Sequence, residues 1–380
     1  MALPLDAAIF LVFIGIVVFV VWNDRKNVKP AGLVLMRRTK QGREWLYRTA
    51  RRWPRAWKAL STVGVIVAIP AMVYVCYFII SNAMRLATGH LAGAVKLVLP
   101  WSSFAEAPGL FLVPWYFWVL GIAVVIIPHE LFHGIACRIG KISVKSLGWM
   151  LFLFVPGAFV DPDVRDLARA SRVAKLRVYA AGSFANLATG LVCIIIWMVL
   201  LGAFFTQAGV IPSAIVADGP WHTANVSGTA ILQINNFSTI SQEDYVAVMQ
   251  SIPPGSSVSI ETTSGNYTLT TVASNETSGS DIGTVGPYSP YYRINAAARP
   301  FYDPISFLVT LFSWLFTITV GIGIFNLLPI KPLDGGLIFE EIAGKFLHKN
   351  ATRMATMGVS LLMVALVVYS IVGPVIMTQS

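Results

Sequence analysis

Five consecutive residues, His129, Glu130, Leu131, Phe132 and His133, carry the most pointed chemistry in this chain. On a helix, positions four apart lie one above the other, so the two imidazoles can grip a single metal ion. The glutamate between them is then placed to act as a base toward water activated by that metal. From Pro114 to Cys137 the surrounding residues are almost all apolar or aromatic. The ordinary alternative is a pair of core histidines bonded to neighbouring carbonyls. Within hydrocarbon, ionisable groups that lack a metal or a partner are costly to bury. The pattern points to metal-assisted hydrolysis inside a bilayer.

A catalytic zinc takes three protein ligands and keeps one position open. The third ligand must come from a segment at the depth of the histidines. His129 lies nine residues before Arg138, which is roughly 14 Å of helix at about 1.5 Å per residue. A later apolar segment ends in Asn326-Leu327-Leu328-Pro329-Ile330-Lys331-Pro332-Leu333-Asp334-Gly335-Gly336. Its prolines and glycines argue against a continuous helix. An unwound stretch there can turn the Asp334 carboxylate toward the metal, or Asp334 can serve as a cap. Glu340 and Glu341 are competing ligands. Asn186 and Asn326 offer amides near the metal, able to steady an oxyanion, hold a substrate strand or bond between helices. Pro128 removes a hydrogen bond to the carbonyl of Val124, which is expected to bend the helix and make room for water.

The elements that must position these groups are membrane helices. With 56% hydrophobic and only 12% charged residues among 380, the composition excludes an ordinary soluble protein. Apolar stretches of spanning length recur near 7–22, 59–83, 112–137, 178–205, 304–328 and 354–376. The first is short, and reads as an anchor rather than a removed signal peptide. The net charge of +10 does not mark a nucleic-acid surface. Of the 28 Lys and Arg, 24 fall within 25–58, 138–177 and 331–353, and none lies between Arg177 and Arg293. By the positive-inside rule this alternation predicts six crossings, with both termini outside and the basic loops cytoplasmic against the lipid bilayer. Cys76, Cys137 and Cys193 sit in or beside apolar segments and suggest no disulfide framework.

Four organisational segments follow: 1–111, N-terminal membrane helices with a basic loop; 112–208, the first half of a catalytic core; 209–290, a small soluble domain; and 291–380, the second half with a final helix. Residues 24–58 read as an interfacial loop with Trp45, Trp53 and Trp57 as anchors. Residues 84–111 read as a loop near the outer surface. The apolar stretch 146–160 is too short to span and is interrupted at Pro156-Gly157, between two basic clusters. It is expected to enter and leave on the same side as a re-entrant hairpin beside the metal. Its edge is either a pairing surface for a substrate strand or a packing plug. Residues 209–290 turn to Ser, Thr, Gly and Asn with short alternating runs, and Ser241 is expected to cap a helix running to Ser251. Asn225, Asn236, Asn266 and Asn275 there, and Asn350, head N-x-S/T triplets.

Taken together, the histidine cluster, Gly182-Ser183-Phe184-Ala185-Asn186, and Asn326 to Pro329 leading to Leu333-Asp334-Gly335 resemble the site-2 protease family of intramembrane metalloproteases. The likeness covers about 112–205 and 304–340. It implies Zn2+ held by His129, His133 and Asp334, with Glu130 as general base and acid. It further implies cleavage of transmembrane protein substrates already trimmed by another protease. The stretch Phe154, Val155, Pro156, Gly157, Ala158, Phe159 and Val160 resembles the family's substrate hairpin. In the family's second motif proline commonly follows the glycine, where this chain has Ser183. The outer domain is similar to a PDZ domain in 217–221, 228–236, the capped helix and Pro254-Gly255. It lacks a clear carboxylate-binding loop, so a steric gate stands beside a peptide binder. The expected fold class is thus a polytopic α-helical membrane protein of about six transmembrane helices, with a re-entrant hairpin and a small α+β PDZ-like extracytoplasmic domain. The rivals are a membrane metalloprotease of another class using Glu340 or Glu341, and a non-catalytic scaffold with a peptide-binding outer domain. A transporter is disfavoured, because paired half-repeats are missing.

Overall fold

The computed structural model describes residues 5–32, 34–89, 95, 97–100, 110–152, 155–217, 219–224, 226, 229–274, 280–286 and 288–377. The chain divides into two compact units, Met1–Ile195 with Thr310–Ser380, and Ile196–Val309.

The first unit begins with helix α1 (Leu5–Asn23) and the strands β1 (Val28–Ala31) and β2 (Val34–Thr39). Helix α2 (Arg43–Arg52) and the long α3 (Pro54–Ala87) follow. Strands β3 (Leu97–Pro100) and β4 (Leu110–Val113) pair in parallel before α4 (Trp115–Ile139). Next come β5 (Val144–Phe152), β6 (Val155–Pro162), the short α5 (Val164–Arg169) and α6 (Arg172–Phe204), whose last turns belong to the second unit.

The helices α3, α4 and α6 are each long and apolar enough to cross a membrane, as are Ala296–Phe325 and Lys349–Ile376. The helix over Ala7–Asn23 falls short of that length, so five such helices stand among the described residues where about six crossings were expected. Their outer faces are strongly apolar and exposed, as a lipid-facing surface requires. Pro128 lies inside α4, which runs through it without a break.

Strands β5 and β6 pair antiparallel where a hairpin was expected, but they are not isolated. Strands β1, β2, β5 and β6 make one antiparallel four-stranded sheet in that order. Residues 28–39, expected as part of a loop, supply half of it. Val34 stands opposite Phe152 and Thr39 opposite Leu147. Pro156 and Gly157 do not interrupt the segment; they lie within β6, opposite Leu151 and Met150. A proline is tolerated there because β6 is the edge strand and its missing N–H costs no ladder bond. Helix α2 seats the hairpin on α4. Its Leu46 is fully buried against Gly134, and the Tyr47 hydroxyl accepts from the Val144 N–H at 3.1 Å.

The second unit is built on the antiparallel strands β7 (Phe205–Ile211), β8 (Ile231–Ile234), β9 (Ser257–Thr262), β10 (Gly265–Thr270) and β11 (Ser289–Ile294), in the sheet order β10-β9-β8-β7-β11. Asn235 and Asn236 take positive φ values of 50° and 66°, the two-residue turn that joins β8 to Phe237–Ser238. Helix α7 (Gln242–Ser251) starts at Ser241, whose side chain caps the N–H of Asp244 while Asp244 returns the bond. Alternating Val258, Ile260 and Thr262 turn inward, and Trp221, Ile231, Ile234 and Tyr245 fill the core.

The chain returns to the first unit within α8 (Tyr302–Phe325), then α9 (Asp334–Ala343) and α10 (Lys349–Met377). Between α8 and α9, residues 326–333 leave helical geometry through Pro329 and Pro332 and bury Leu327 and Leu328.

Candidate metal centre

Helix α4 presents both imidazoles on one face, with ring centroids 4.7 Å and Nε2 atoms 3.1 Å apart. Asp334 reaches them as the first residue of α9. The break after α8 closes on itself: the Gly335 N–H donates to the Asn326 carbonyl at 2.8 Å. Only glycine permits this approach, since a side chain at 335 would collide with the Leu327 carbonyl.

The Asp334 carboxylate lies with Oδ1 3.4 Å from His133 Nε2 and Oδ2 3.7 Å from His129 Nε2. One ligand atom from each of the three residues lies within 4.8 Å of the others, and no other such cluster occurs among the described residues. A tetrahedral zinc with bonds of about 2.0–2.1 Å holds its ligand atoms about 3.3 Å apart. The separations of 3.1 Å between the two Nε2 atoms and 3.4 Å from His133 Nε2 to Asp334 Oδ1 lie on either side of that value.

The outward sides of the rings support the same donor set. His133 Nδ1 donates to the Val178 carbonyl at 2.7 Å, which leaves Nε2 as the free lone pair. His129 Nδ1 lies 3.2 Å from the amide of Asn186, whose Oδ1 is buried and otherwise unpartnered. With Oδ1 turned to accept from Nδ1–H, His129 too aims a bare Nε2 inward. Two imidazoles and a carboxylate, each steadied from behind, fit a zinc ion.

Helix α6 makes room for this arrangement. Gly182 faces both rings so closely that a methyl there would overlap Nε2 of each. Beside it, Ser183 donates to Asp334 Oδ2 from its hydroxyl at 2.7 Å and its N–H at 3.2 Å. In the sequence, 182–186 stood out through the family resemblance, which gave no sign of this contact.

Glu130 turns to the hairpin, where its Oε2 accepts from the Val160 N–H at 2.8 Å. A cavity of about 540 Å³ opens before these groups. Both histidines, Glu130, Asp334 and Asn326 line it, and Gly157, Ala158 and Phe159 of β6 form one wall. Pro156 lies in β6 but does not line the cavity, and Phe154 lies outside the described residues. Asn186 is fully buried behind His129 and is also absent from the cavity lining, so it sits away from an oxyanion position. Glu340 and Glu341 are engaged elsewhere: Glu340 pairs with Lys331, and Glu341 with Lys175 at 3.4 Å and Arg172 at 3.8 Å.

Such a donor set, set among apolar helices of spanning length, has the features of a membrane-embedded metallopeptidase. The chain matches the model of Peptidase family M50 over residues 117–370 and belongs to that family, the site-2 protease family. Membership implies a multi-pass membrane protein with zinc metalloprotease activity. The chain is also similar to an uncharacterized protein of Methanocaldococcus jannaschii, 26% identical over 342 residues that cover 87% of this chain and 84% of the other.

Proposed function

We propose that this protein hydrolyses peptide bonds within transmembrane segments of other membrane proteins, as an intramembrane zinc metalloprotease in regulated intramembrane proteolysis. The observation that carries the proposal is the meeting of His129, His133 and Asp334 beside Glu130 in a cavity among membrane-length helices. His129 Nε2, His133 Nε2 and an Asp334 oxygen would hold the zinc. The chemistry that ion supplies when bound is Lewis acidity, which polarises a carbonyl and acidifies water near neutral pH. Glu130 takes the proton of the attacking water and delivers it to the leaving amine.

A substrate helix must unwind to be cut, because its carbonyls are tied up in its own backbone. The hairpin edge supports that step. Val160 aims its N–H away from β5 toward Glu130. Backbone direction alternates along a strand, so Ala158 aims its N–H and C=O the same way. An extended substrate pairs along this edge and brings one carbonyl to the metal centre. Asn326 lies on the cavity wall as a further donor to that strand.

The orientation follows the charge distribution, with both termini and the 209–290 domain outside and the basic loops in the cytoplasm. The outer domain is PDZ-like and acts as a gate or a peptide binder for substrates already trimmed by another protease. The deciding experiment measures zinc per chain and the cleavage of a model transmembrane helix by the parent and Glu130→Gln. The parent should hold one zinc and cut; Glu130→Gln should hold zinc and fail to cut. Equal cleavage by both would refute the role of Glu130.

A further inference from the structure

Asp334 is the proposed ligand that does not belong to α4, so its carboxylate has to be fixed by contacts from elsewhere. Ser183 makes two such contacts to one oxygen, Oδ2: the hydroxyl at 2.7 Å and the backbone N–H at 3.2 Å. The two residues are 151 positions apart, and Ser183 is wholly buried.

The direction of that hydroxyl is informative. Serine and threonine within helices commonly turn the hydroxyl back to the carbonyl four residues earlier. In α6 itself Thr189 does so with Ala185 at 2.8 Å, and in α3 Ser61 does so with Trp57 at 2.8 Å. Ser183 spends its single proton across the helix boundary instead. A donor to an ionised carboxylate makes a shorter and stronger bond than one to a neutral acceptor, and 2.7 Å lies in that shorter range.

We infer that Ser183 is a positioning residue of the metal centre. Its hydroxyl and N–H occupy Oδ2, which leaves Oδ1, the oxygen 3.4 Å from His133 Nε2, to face the cation in one fixed orientation. Ser183 never meets the substrate; it acts through Asp334. A proline at 183 would supply neither donor. This inference rests on the zinc-protease proposal and adds the group that holds its third ligand.

The test compares Ser183→Ala, which loses the hydroxyl, with Ser183→Thr, which keeps it, in the purified full-length protein. The readouts are zinc affinity by competition with a chromophoric chelator and the melting temperature of the zinc-free protein. Partners of metal ligands typically contribute about 10–100-fold in affinity. Ser183→Ala should weaken zinc binding by about tenfold or more, with the zinc-free melting temperature unchanged and cleavage recovering as free zinc is raised. Ser183→Thr should bind as the parent does. An affinity of Ser183→Ala within twofold of the parent overturns the inference, as does an equal loss in both variants. A parent that holds no zinc overturns the protease proposal and this inference together, whereas a zinc-loaded parent with an unaffected Ser183→Ala sinks this inference alone.

Discussion

Adding one methyl group at Gly182 tests whether the ligand geometry is as tight as it looks. A Cβ there would lie 2.5 Å from His129 Nε2 and closer still to His133 Nε2. Carbon and neighbouring heavy atoms rest at about 3.5 Å or more, so both rings must retreat by about 1 Å. Metal–ligand distances tolerate only about 0.2 Å, which makes the displacement roughly five times the allowance. Folding should suffer much less. Overpacking costs about 1–3 kcal/mol, and replacing glycine by alanine within a helix returns up to about 1 kcal/mol. The expected result for Gly182→Ala is a folded protein that carries less than about a tenth of a zinc per chain and does not cut. The assay is elemental analysis of purified protein beside cleavage of a model membrane helix. Gly190→Ala is the control: it overpacks α6 against Val320 roughly 12 Å further along the helix and should keep its zinc. Stoichiometric zinc and parental cleavage in Gly182→Ala would refute the geometric argument.

The other expectations concern single elements of the same machinery. Asp334→Ala should abolish zinc retention while Glu341→Gln preserves it, and elemental analysis showing the reverse would move the third ligand. Glu130→Gln should lower the cleavage rate by about 100- to 10,000-fold with zinc content unchanged, as removal of a general base does. Ala158→Pro deletes an edge N–H of β6 without touching its ladder with β5. It should reduce cleavage efficiency by up to about tenfold, the worth of one hydrogen bond, and an unchanged rate would argue against strand pairing there. A cysteine at the exposed Thr263, in a background lacking Cys76, should react with an impermeant maleimide added outside intact cells, whereas labelling only after lysis would invert the topology.

Features that depend on neighbours in the chain were legible beforehand. His129, Glu130 and His133 share one helical turn, so spacing alone shows that they can act together. The helix over 242–251 was signalled by the cap at Ser241, and the apolar stretches by their length. Asp334 stood out because prolines and glycines interrupt an apolar run. Choosing it over Glu340 and Glu341 needs the structure, in which Lys331, Lys175 and Arg172 occupy the two glutamates. What was hidden is long-range. Nothing in the periodicity of 28–39 announces pairing with 144–152, because a strand's partner is not encoded in its own alternation. Pro156-Gly157 looked like an interruption, since edge position cannot be known before the sheet is assembled. The contact of Ser183 with Asp334 and the placement of Asn186 behind His129 likewise join residues far apart in sequence.

The four-stranded sheet sets a lower limit on how small a working fragment can be. The family match starts at residue 117, yet β1 and β2 lie at 28–39, and Leu46, which plugs α4 at Gly134, also precedes it. Trimmed to the matched region, the protein would keep β5 and β6 on α4 but lose the other half of the sheet and the Leu46 contact that seats it. Strands β1 and β2 and helix α2 therefore belong to the body that holds the metal centre, and truncations that spare every ligand but remove them are expected to silence the enzyme.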